Sequence, residues 1–386
     1  MKRILHVMYS LERSGMETML LSSGKEWLRH GYRSDIVATA DHVGPVADQL
    51  RVSGYRVHHH PFRSRWSSLL PRLSFVREFF LLCRSGYDVV HIHTEGGPPL
   101  FTLLAKLAGV RRIAVTPHNT FRFRGWLRIR KLCERHFVRM LGGRYGMISD
   151  GVEDCEKERF RNKGVRIWNW IDTEHFRPPS PLERQLARLS LGATPEDFVI
   201  VSIGNCNDVK NHGAILRAIP LLPTAIRPFY LHIGREQPKC PEQKLAAELS
   251  ILNKTRFLGS VQDPLHFLWA ADVFVMPSLH EGLGVAALEA VAAGAPLICS
   301  RVDGLSDVAA ATNHTVLTTT KHESVAQGIS LLASLPISQL REQALEDSRS
   351  IRSRFSVHHG VRSIVHGLYA EQKLAHAIAT QVWRRS

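Results

Sequence analysis

Two carboxylates, Glu281 and Glu289, stand eight positions apart in the stretch Pro277-Ser278-Leu279-His280-Glu281-Gly282-Leu283-Gly284-Val285-Ala286-Ala287-Leu288-Glu289-Ala290. Carboxylates ionised at neutral pH are strong acceptors for the paired hydroxyls of a sugar or a ribose. Gly282 and Gly284 follow the apolar run Val273–Met276 and precede a helical pattern, so they fall where a strand turns into a helix. Such a turn exposes backbone N–H groups beside the positive helix end, which suits a diphosphate or sugar oxygens. Glu281 then lies in the loop and Glu289 about two turns along the helix, and both can grip one elongated ligand. The plainer reading is a tight left-handed turn followed by a solvated helix glutamate.

A second constellation is Val201-Ser202-Ile203-Gly204-Asn205-Cys206-Asn207-Asp208-Val209-Lys210-Asn211, a strand, a glycine turn and a helix with Lys210 near its start. A cation is electrostatically ill placed at a helix N-terminus, unless it neutralises charge developing on a departing diphosphate. His118 follows the run Arg112–Thr116, and Gly15 opens the first helical pattern, where a ligand can approach the backbone closely. His91 and His93 alternate on one strand and read as part of the fold, with His93 the better placed to touch a ligand. No Asp-x-Asp pair occurs, which removes the usual carboxylates for a divalent cation on a sugar nucleotide. Metal-independent chemistry is the expectation.

These residues need a scaffold, and the sequence supplies short β-rich runs alternating with helical patterns. Strands are expected at Arg3–Met8, Ser34–Ala38, Arg56–His60, Val89–His93 and Arg112–Thr116, with helices across 16–30, 46–53, 69–84 and 99–108 between them. A second series has strands at Val199–Ile203, Phe229–Ile233, Arg256–Leu258, Val273–Met276 and Pro296–Cys299, with helices across 211–219, 265–270 and 285–293. Repeated βαβ units make a parallel sheet with helices on both faces, and ligands sit beyond the carboxyl ends of its strands. The best linker signal is Pro178-Pro179-Ser180-Pro181, so the expected domains are 1–174 and 182–356. A helical segment, 357–386, is expected to pack back towards the first. The site is expected in the cleft between the domains.

The chain of 386 residues is of a length for two ordinary domains, and its 44% hydrophobic and 22% charged residues exclude a disordered or fibrous class. A formal charge of +15 attracts polyanions, whether nucleic acid, anionic lipid or phosphorylated substrates. Six scattered cysteines, with no C-x-x-C pair and no histidine cluster at zinc spacing, suit reduced thiols and speak against a structural metal. No run reaches the ~18 uninterrupted apolar residues of a membrane span. The stretch Phe121–Arg139 carries six Arg and Lys131 against Glu134, interleaved with Phe121, Phe123, Trp126 and Phe137. That mixture suits an anionic bilayer surface; otherwise it is a solvated helix face over an apolar core side. No nucleic-acid recognition motif accompanies it.

The segment Pro277–Ala290 resembles the signature of family 4 glycosyltransferases, retaining enzymes of the GT-B fold. Phe257-Leu258-Gly259, Ala271-Asp272-Val273 and Gly294-Ala295-Pro296-Leu297-Ile298 stand at the family's spacing around it. Leu5-His6-Val7, Ser14-Gly15-Met16-Glu17, Tyr87–His93, Thr116-Pro117-His118-Asn119 and Trp168-Asn169-Trp170-Ile171-Asp172 match its other landmarks, so the resemblance covers essentially the whole chain. It implies an α/β fold of two Rossmann-like domains. The implied activity is retaining transfer of a sugar, without metal or other cofactor, from a nucleotide-diphosphate sugar, with a UDP-sugar expected. The acceptor would be a lipid-linked glycan in cell-surface polysaccharide biosynthesis. Glu289 would hold the ribose, Glu281 the transferred sugar, the amides of Gly282 to Val285 sugar and diphosphate, Phe257 and Leu258 the base, and His118 the reacting sugar. Where the family pairs an Arg with the lysine, this chain has Asn205, leaving Arg235 or Arg13 to substitute. The expected location is cytoplasmic, peripheral on the inner face of the membrane, with no nucleic-acid partner. The alternatives are an inactive glycan-binding or scaffold module, for which Asn205 is the support, and a nucleotide-sugar epimerase on the same fold.

Overall fold

A computed structural model describes residues 1–62, 69–120 and 122–370. Phe121 and the terminal stretch through Trp383 to Arg385 lie outside the described residues. The chain forms two compact units, Met1–Trp170 together with the segment from Val357, and Ile171–Ser356.

The first unit runs β1 (Lys2–Met8), α1 (Gly15–Arg29), β2 (Tyr32–Ala38), α2 (Ala47–Val52), β3 (Arg56–His59), α3 (Leu69–Arg84) and β4 (Val89–Ile92). It continues with α4 (Pro98–Leu107), β5 (Arg112–Val115), α5 (Gly125–Met140), β6 (Arg144–Met147), α6 (Asp150–Phe160) and β7 (Val165–Arg166). The second unit holds α7 (Pro181–Ser190), β8 (Asp197–Ile203), α8 (His212–Ala218), β9 (Arg227–Ile233), α9 (Pro241–Glu248), β10 (Thr255–Phe257) and α10 (Leu265–Ala270). There follow β11 (Val273–Met276), α11 (Val285–Ala292), β12 (Leu297–Ser300), α12 (Leu305–Ala310), β13 (Val316–Thr318), α13 (His322–Ala333) and α14 (Ile337–Arg354). From Val357 the chain returns to the first unit with α15 (Val357–Ser363) and a π-helical turn, Ile364–Leu368.

Both sheets are parallel, in the orders β3-β2-β1-β4-β5-β6-β7 and β10-β9-β8-β11-β12-β13. The inner strands are buried along most of their length, as parallel strands covered on two faces must be; β11 (VFVM) and β12 (LICS) are buried throughout. In each sheet the strand order reverses once, between β1 and β4 and between β8 and β11, and loops leaving two such strands diverge to open a crevice. Two Rossmann-like α/β units are thus present as the alternating pattern predicts.

The change of unit falls between Trp170 and Ile171, ahead of the proline run. That run instead starts α7: Ser180 Oγ accepts from the Glu183 N–H at 3.3 Å, and the Glu183 carboxylate accepts from the Ser180 N–H at 2.8 Å, a capping box. Pro181 sits in the first turn, where its missing N–H costs nothing.

The returning segment is held by close packing. Gly360 lies so near Trp170 that a Cβ there would come within 2.2 Å of the indole. Trp27 stacks on Tyr369 and meets Trp170 edge-on, and the Trp170 indole N–H donates to the Met19 carbonyl at 2.8 Å. The second unit's core gathers Ile200, Ile215, Tyr230, Val273, Val275, Ile298 and Ile329 beneath its sheet.

Candidate active site

In the second unit the residues singled out by the sequence collect at the carboxyl edge of the sheet. Three glycine turns there are laced together: the Gly204 N–H donates to the Ile233 carbonyl at 2.8 Å, and the Gly234 N–H to the Gly259 carbonyl at 2.9 Å. Asn205 uses its side chain in the same lacing, its Oδ1 accepting from the Arg235 N–H at 2.9 Å. The Arg235 guanidinium itself is exposed on the loop after Gly234, while Arg13 lies in the other unit. Phe257 ends β10, half-buried against the core with its ring 5.8 Å from that of His232, and Leu258 follows, its N–H donating to the His232 carbonyl.

The turns after β8 and β11 meet across the strand-order reversal. Asn211, in the left-handed region at φ 55°, donates from its amide to the carbonyls of Pro277 (3.1 Å) and Thr320 (2.9 Å). The Leu279 N–H reaches the Val209 carbonyl at 2.7 Å. This stitching sets Lys210 Nζ 2.7 Å from Glu281 Oε1, an ion pair with both side chains mostly buried. Gly284, at φ 77°, then starts α11; a Cβ there would come within 2.5 Å of Leu305, so both backbone angle and space require glycine. Gly282 and Leu283 are buried and Val285 half-buried.

Glu289 departs from the expectation of an ionised carboxylate, and from the plainer reading of a solvated one. It is buried within the apolar helix VAALEAVA, and no hydrogen bond or ion pair reaches its carboxyl group among the described residues. Burial, with a smaller contribution from Asp263, pushes its pKa up to about 8, so at neutral pH it carries its proton.

In the first unit Gly15 opens α1 after Ser14, whose hydroxyl bonds the Glu17 carboxyl. Burial raises Glu17 to about 7. His118 ends a ladder of histidines: His6 Nδ1 is 3.0 Å from His93 Nε2, and His93 Nδ1 is 3.0 Å from His118 Nε2. His91 is spoken for within the fold, 2.7 Å from both the Tyr369 hydroxyl and Thr116 Oγ1. Burial pushes His6 and His118 down to about 3 and holds His91 and His93 well below the ordinary range, so all four are neutral at pH 7. They line a cavity of about 20 Å³, room for one water, with Met19 and Trp27. Sequence reasoning missed His6 as a member; the signal is that β1 and β4 are adjacent, which puts His6 opposite His91.

The basic stretch needs a correction. Lys131 and Arg135 point inward from α5 and are buried: Lys131 pairs with Glu134 at 2.9 Å and Glu95 at 3.3 Å, and Arg135 with Glu156 at 2.7 Å and Glu95 at 3.1 Å. These cations answer carboxylates, one on α5 itself and two outside it. The outer side still shows Arg124, Arg128 and Arg130 beside Trp126 (76% exposed), Ile129 and Met140 (72%). Among the described residues no helix is long and apolar enough to cross a membrane.

Comparison with known proteins bears on this geometry. The model described as Glycosyltransferase Family 4 matches residues 13–175, and that described as Glycosyl transferases group 1 matches 183–350. EpsF of Bacillus subtilis (strain 168) is 29% identical over 315 residues, 78% of this chain and 79% of its own length. The UDP-Gal:alpha-D-GlcNAc-diphosphoundecaprenol alpha-1,3-galactosyltransferase of Escherichia coli is 28% identical over 316 residues, covering 78% and 80%. The structure of Anabaena HepE in complex with UDP and glucose superposes with a TM-score of 0.77 over the whole of both chains at 17% identity, a likeness of fold. With two family models spanning the two units, and the same paired α/β architecture in its structural neighbours, the chain belongs to the family 4 glycosyltransferases of the GT-B fold.

Proposed function

We propose that the enzyme transfers a sugar from a UDP-sugar, with retention of configuration and without a metal at the reacting diphosphate, to a lipid-linked glycan in cell-surface polysaccharide biosynthesis. The observation that carries the reading is the Lys210–Glu281 pair at the strand-order reversal of the second unit, where α/β sheets bind nucleotides. Lys210 supplies positive charge for the departing diphosphate, Glu281 bonds the sugar's hydroxyls, and Glu289 takes the ribose. The amides of Gly282 to Val285 face the diphosphate and Phe257–Leu258 the base. Before donor arrives Lys210 is neutralised by Glu281; sugar hydroxyls take over the carboxylate and release the ammonium towards phosphate. Asn205 is occupied in the fold, which leaves the exposed Arg235 to replace the family's arginine. The Escherichia coli relative's name, with its UDP-sugar and diphosphoundecaprenol-linked substrate, and the UDP and glucose bound by HepE support donor and acceptor class.

A panel of UDP-, GDP- and ADP-sugars tests this by slow hydrolysis, with nucleoside diphosphate release as readout. A UDP-sugar should release UDP at a rate unchanged by EDTA added with the donor. Silence across the panel overturns the reading, and loss of rate in EDTA restored only by Mn²⁺ overturns its metal independence.

The exposed side of α5 is the proposed membrane contact, each cation near an anionic surface contributing ~1 kcal/mol. Anionic liposomes should sediment the protein at 0.1 M salt, where the Debye length is ~10 Å, and much less at 1 M, where it is ~3 Å. Replacing Arg124 and Arg130 by Gln and Trp126 by Ala should remove the sedimentation and leave donor hydrolysis intact. Unchanged partitioning of that variant would make this a plain solvated face.

A further inference from the structure

Behind the Gly204 turn, four side chains that take no part in the assignments above converge. Cys206 follows the turn, His212 opens α8, His232 lies on β9 and Glu242 is in the first turn of α9; all four are buried. One potential ligand atom each from Cys206, His212 and His232 lies within 4.8 Å of the others. The Cys206 sulfur is 3.2 Å from His232 Nε2, and the two imidazole rings are 4.4 Å apart between centres. Glu242 stands next to these three, close enough to act on the Cys206 thiol, and would swing in to join their cluster. Yet His212 Nδ1 and Glu242 Oε2, both buried, have no partner among the described residues. Buried polar atoms are paired in the great majority of cases, so two unpaired ones around a thiol and a second imidazole point to a shared ligand.

We propose that Cys206, His212, His232 and Glu242 bind a zinc ion that braces the β8–α8 turn. One sulfur, two imidazole nitrogens and a carboxylate oxygen are the donor set of a closed tetrahedral zinc site, whereas the all-oxygen shells of Mg²⁺ and Ca²⁺ find no match here. The thiol gives up its proton on binding, and thiolate and carboxylate together offset the two charges of the ion, the condition for placing it in a buried site. With Zn–S about 2.3 Å and Zn–N about 2.1 Å, tetrahedral geometry sets sulfur and nitrogen about 3.6 Å apart, so Cys206 and His232 need spread by only a few tenths of an ångström. The four ligands come from the β8 turn, α8, β9 and α9, so the ion ties down the segment carrying Asn205 and Lys210 without facing the reaction. The absence of a local zinc spacing in the sequence is no obstacle, because the ligands are brought together by two adjacent strands and the helices that follow them.

The test uses the full chain freed of metal by prolonged chelation and titrated with Co²⁺. Wild type should develop a thiolate-to-cobalt charge-transfer band, abolished by one equivalent of Zn²⁺. Cys206→Ala should lose the band and Cys133→Ala, which alters an exposed thiol on α5, should keep it. Zinc should raise the thermal midpoint of the metal-free wild type and leave that of Cys206→Ala unmoved. No band in wild type overturns the proposal, as does a band that persists in Cys206→Ala. Donor hydrolysis is read separately, so failure of this site leaves the glycosyltransferase reading standing.

Discussion

Lys210→Met should lower the turnover of the UDP-sugar by about 10²–10³-fold, the scale seen when one preorganised group facing transition-state charge is removed. Donor affinity should change less, because in the resting protein the ammonium is committed to Glu281 at 2.7 Å, so what it gains on the bound diphosphate is offset by the pair it gives up, whereas charge developing on the departing diphosphate is met in full. Lys210→Arg, which keeps the charge but not the compact shape, should recover part of the rate. Glu281→Gln should also slow transfer, and the double variant Lys210→Met/Glu281→Gln should fall little further than either single one, since paired groups act as a unit. Single-turnover kinetics with a saturating donor separate binding from chemistry. A Lys210→Met enzyme with nearly unchanged turnover would remove the lysine from the mechanism.

Glu289 leads to a second large effect, visible in pH dependence. Its folded-state pKa, about 8, lies above its unfolded value of 4.5, so the folded chain holds a proton that the unfolded chain releases across that interval. Its contribution to stability is fully present below pH 4.5 and is lost as pH rises through 8. The slope is at most about 1.4 kcal/mol per pH unit. Glu289→Gln, which cannot ionise, should therefore match wild type near pH 4.5 and exceed it at pH 9, as denaturant melts at the two pH values will show. Donor binding should run the other way: ribose hydroxyls stabilise the carboxylate, so wild-type affinity should rise between pH 6 and 8 with release of a proton. Calorimetry in buffers of different ionisation enthalpy measures that release. Glu289→Ala should weaken UDP binding by about 10- to 100-fold, for one charge-assisted hydrogen bond of about 1.5–3 kcal/mol. The same pH slope in Glu289→Gln would assign the proton elsewhere.

What the sequence displayed of this fold, and what it hid, follows the range of the forces involved. β11, α3 and α10 were legible to the residue because an apolar run or helical period bounded by Gly, Pro or Asp is a local signal. β7 (VR) and β13 (VLT) are too short to show any period, and β6 (RYGM) breaks its apolar run with Arg and Gly; all three exist because a neighbouring strand supplies their hydrogen bonds. The turn chemistry of Gly282 and Gly284 could be read directly, but the Lys210–Glu281 contact joins residues far apart in the chain and needs the sheet order first. Glu289 did carry a signal: a single glutamate flanked on every side by Ala, Val and Leu is in an apolar helix, and such a helix is buried all round. Lys131 carried part of one, Glu134 three positions on along the same helix, but Glu95 and Glu156, which bury Lys131 and Arg135, lie far away in the chain.

The unit that holds Met1–Trp170 is finished by residues that the ribosome makes only after the whole of the other unit. Tyr369 seals His91, Gly360 seats against Trp170, and His358 bonds Glu26 at 2.8 Å, but none of these exists until Ile171–Ser356 has been synthesised. At about 5–20 residues per second that interval lasts roughly 10–40 s. Throughout it the face of Trp27 and Trp170 that Tyr369 and Gly360 will cover stays open on the nascent chain. The second unit, continuous in sequence, suffers no such delay and has all its residues in hand while the first still waits for the segment from Val357.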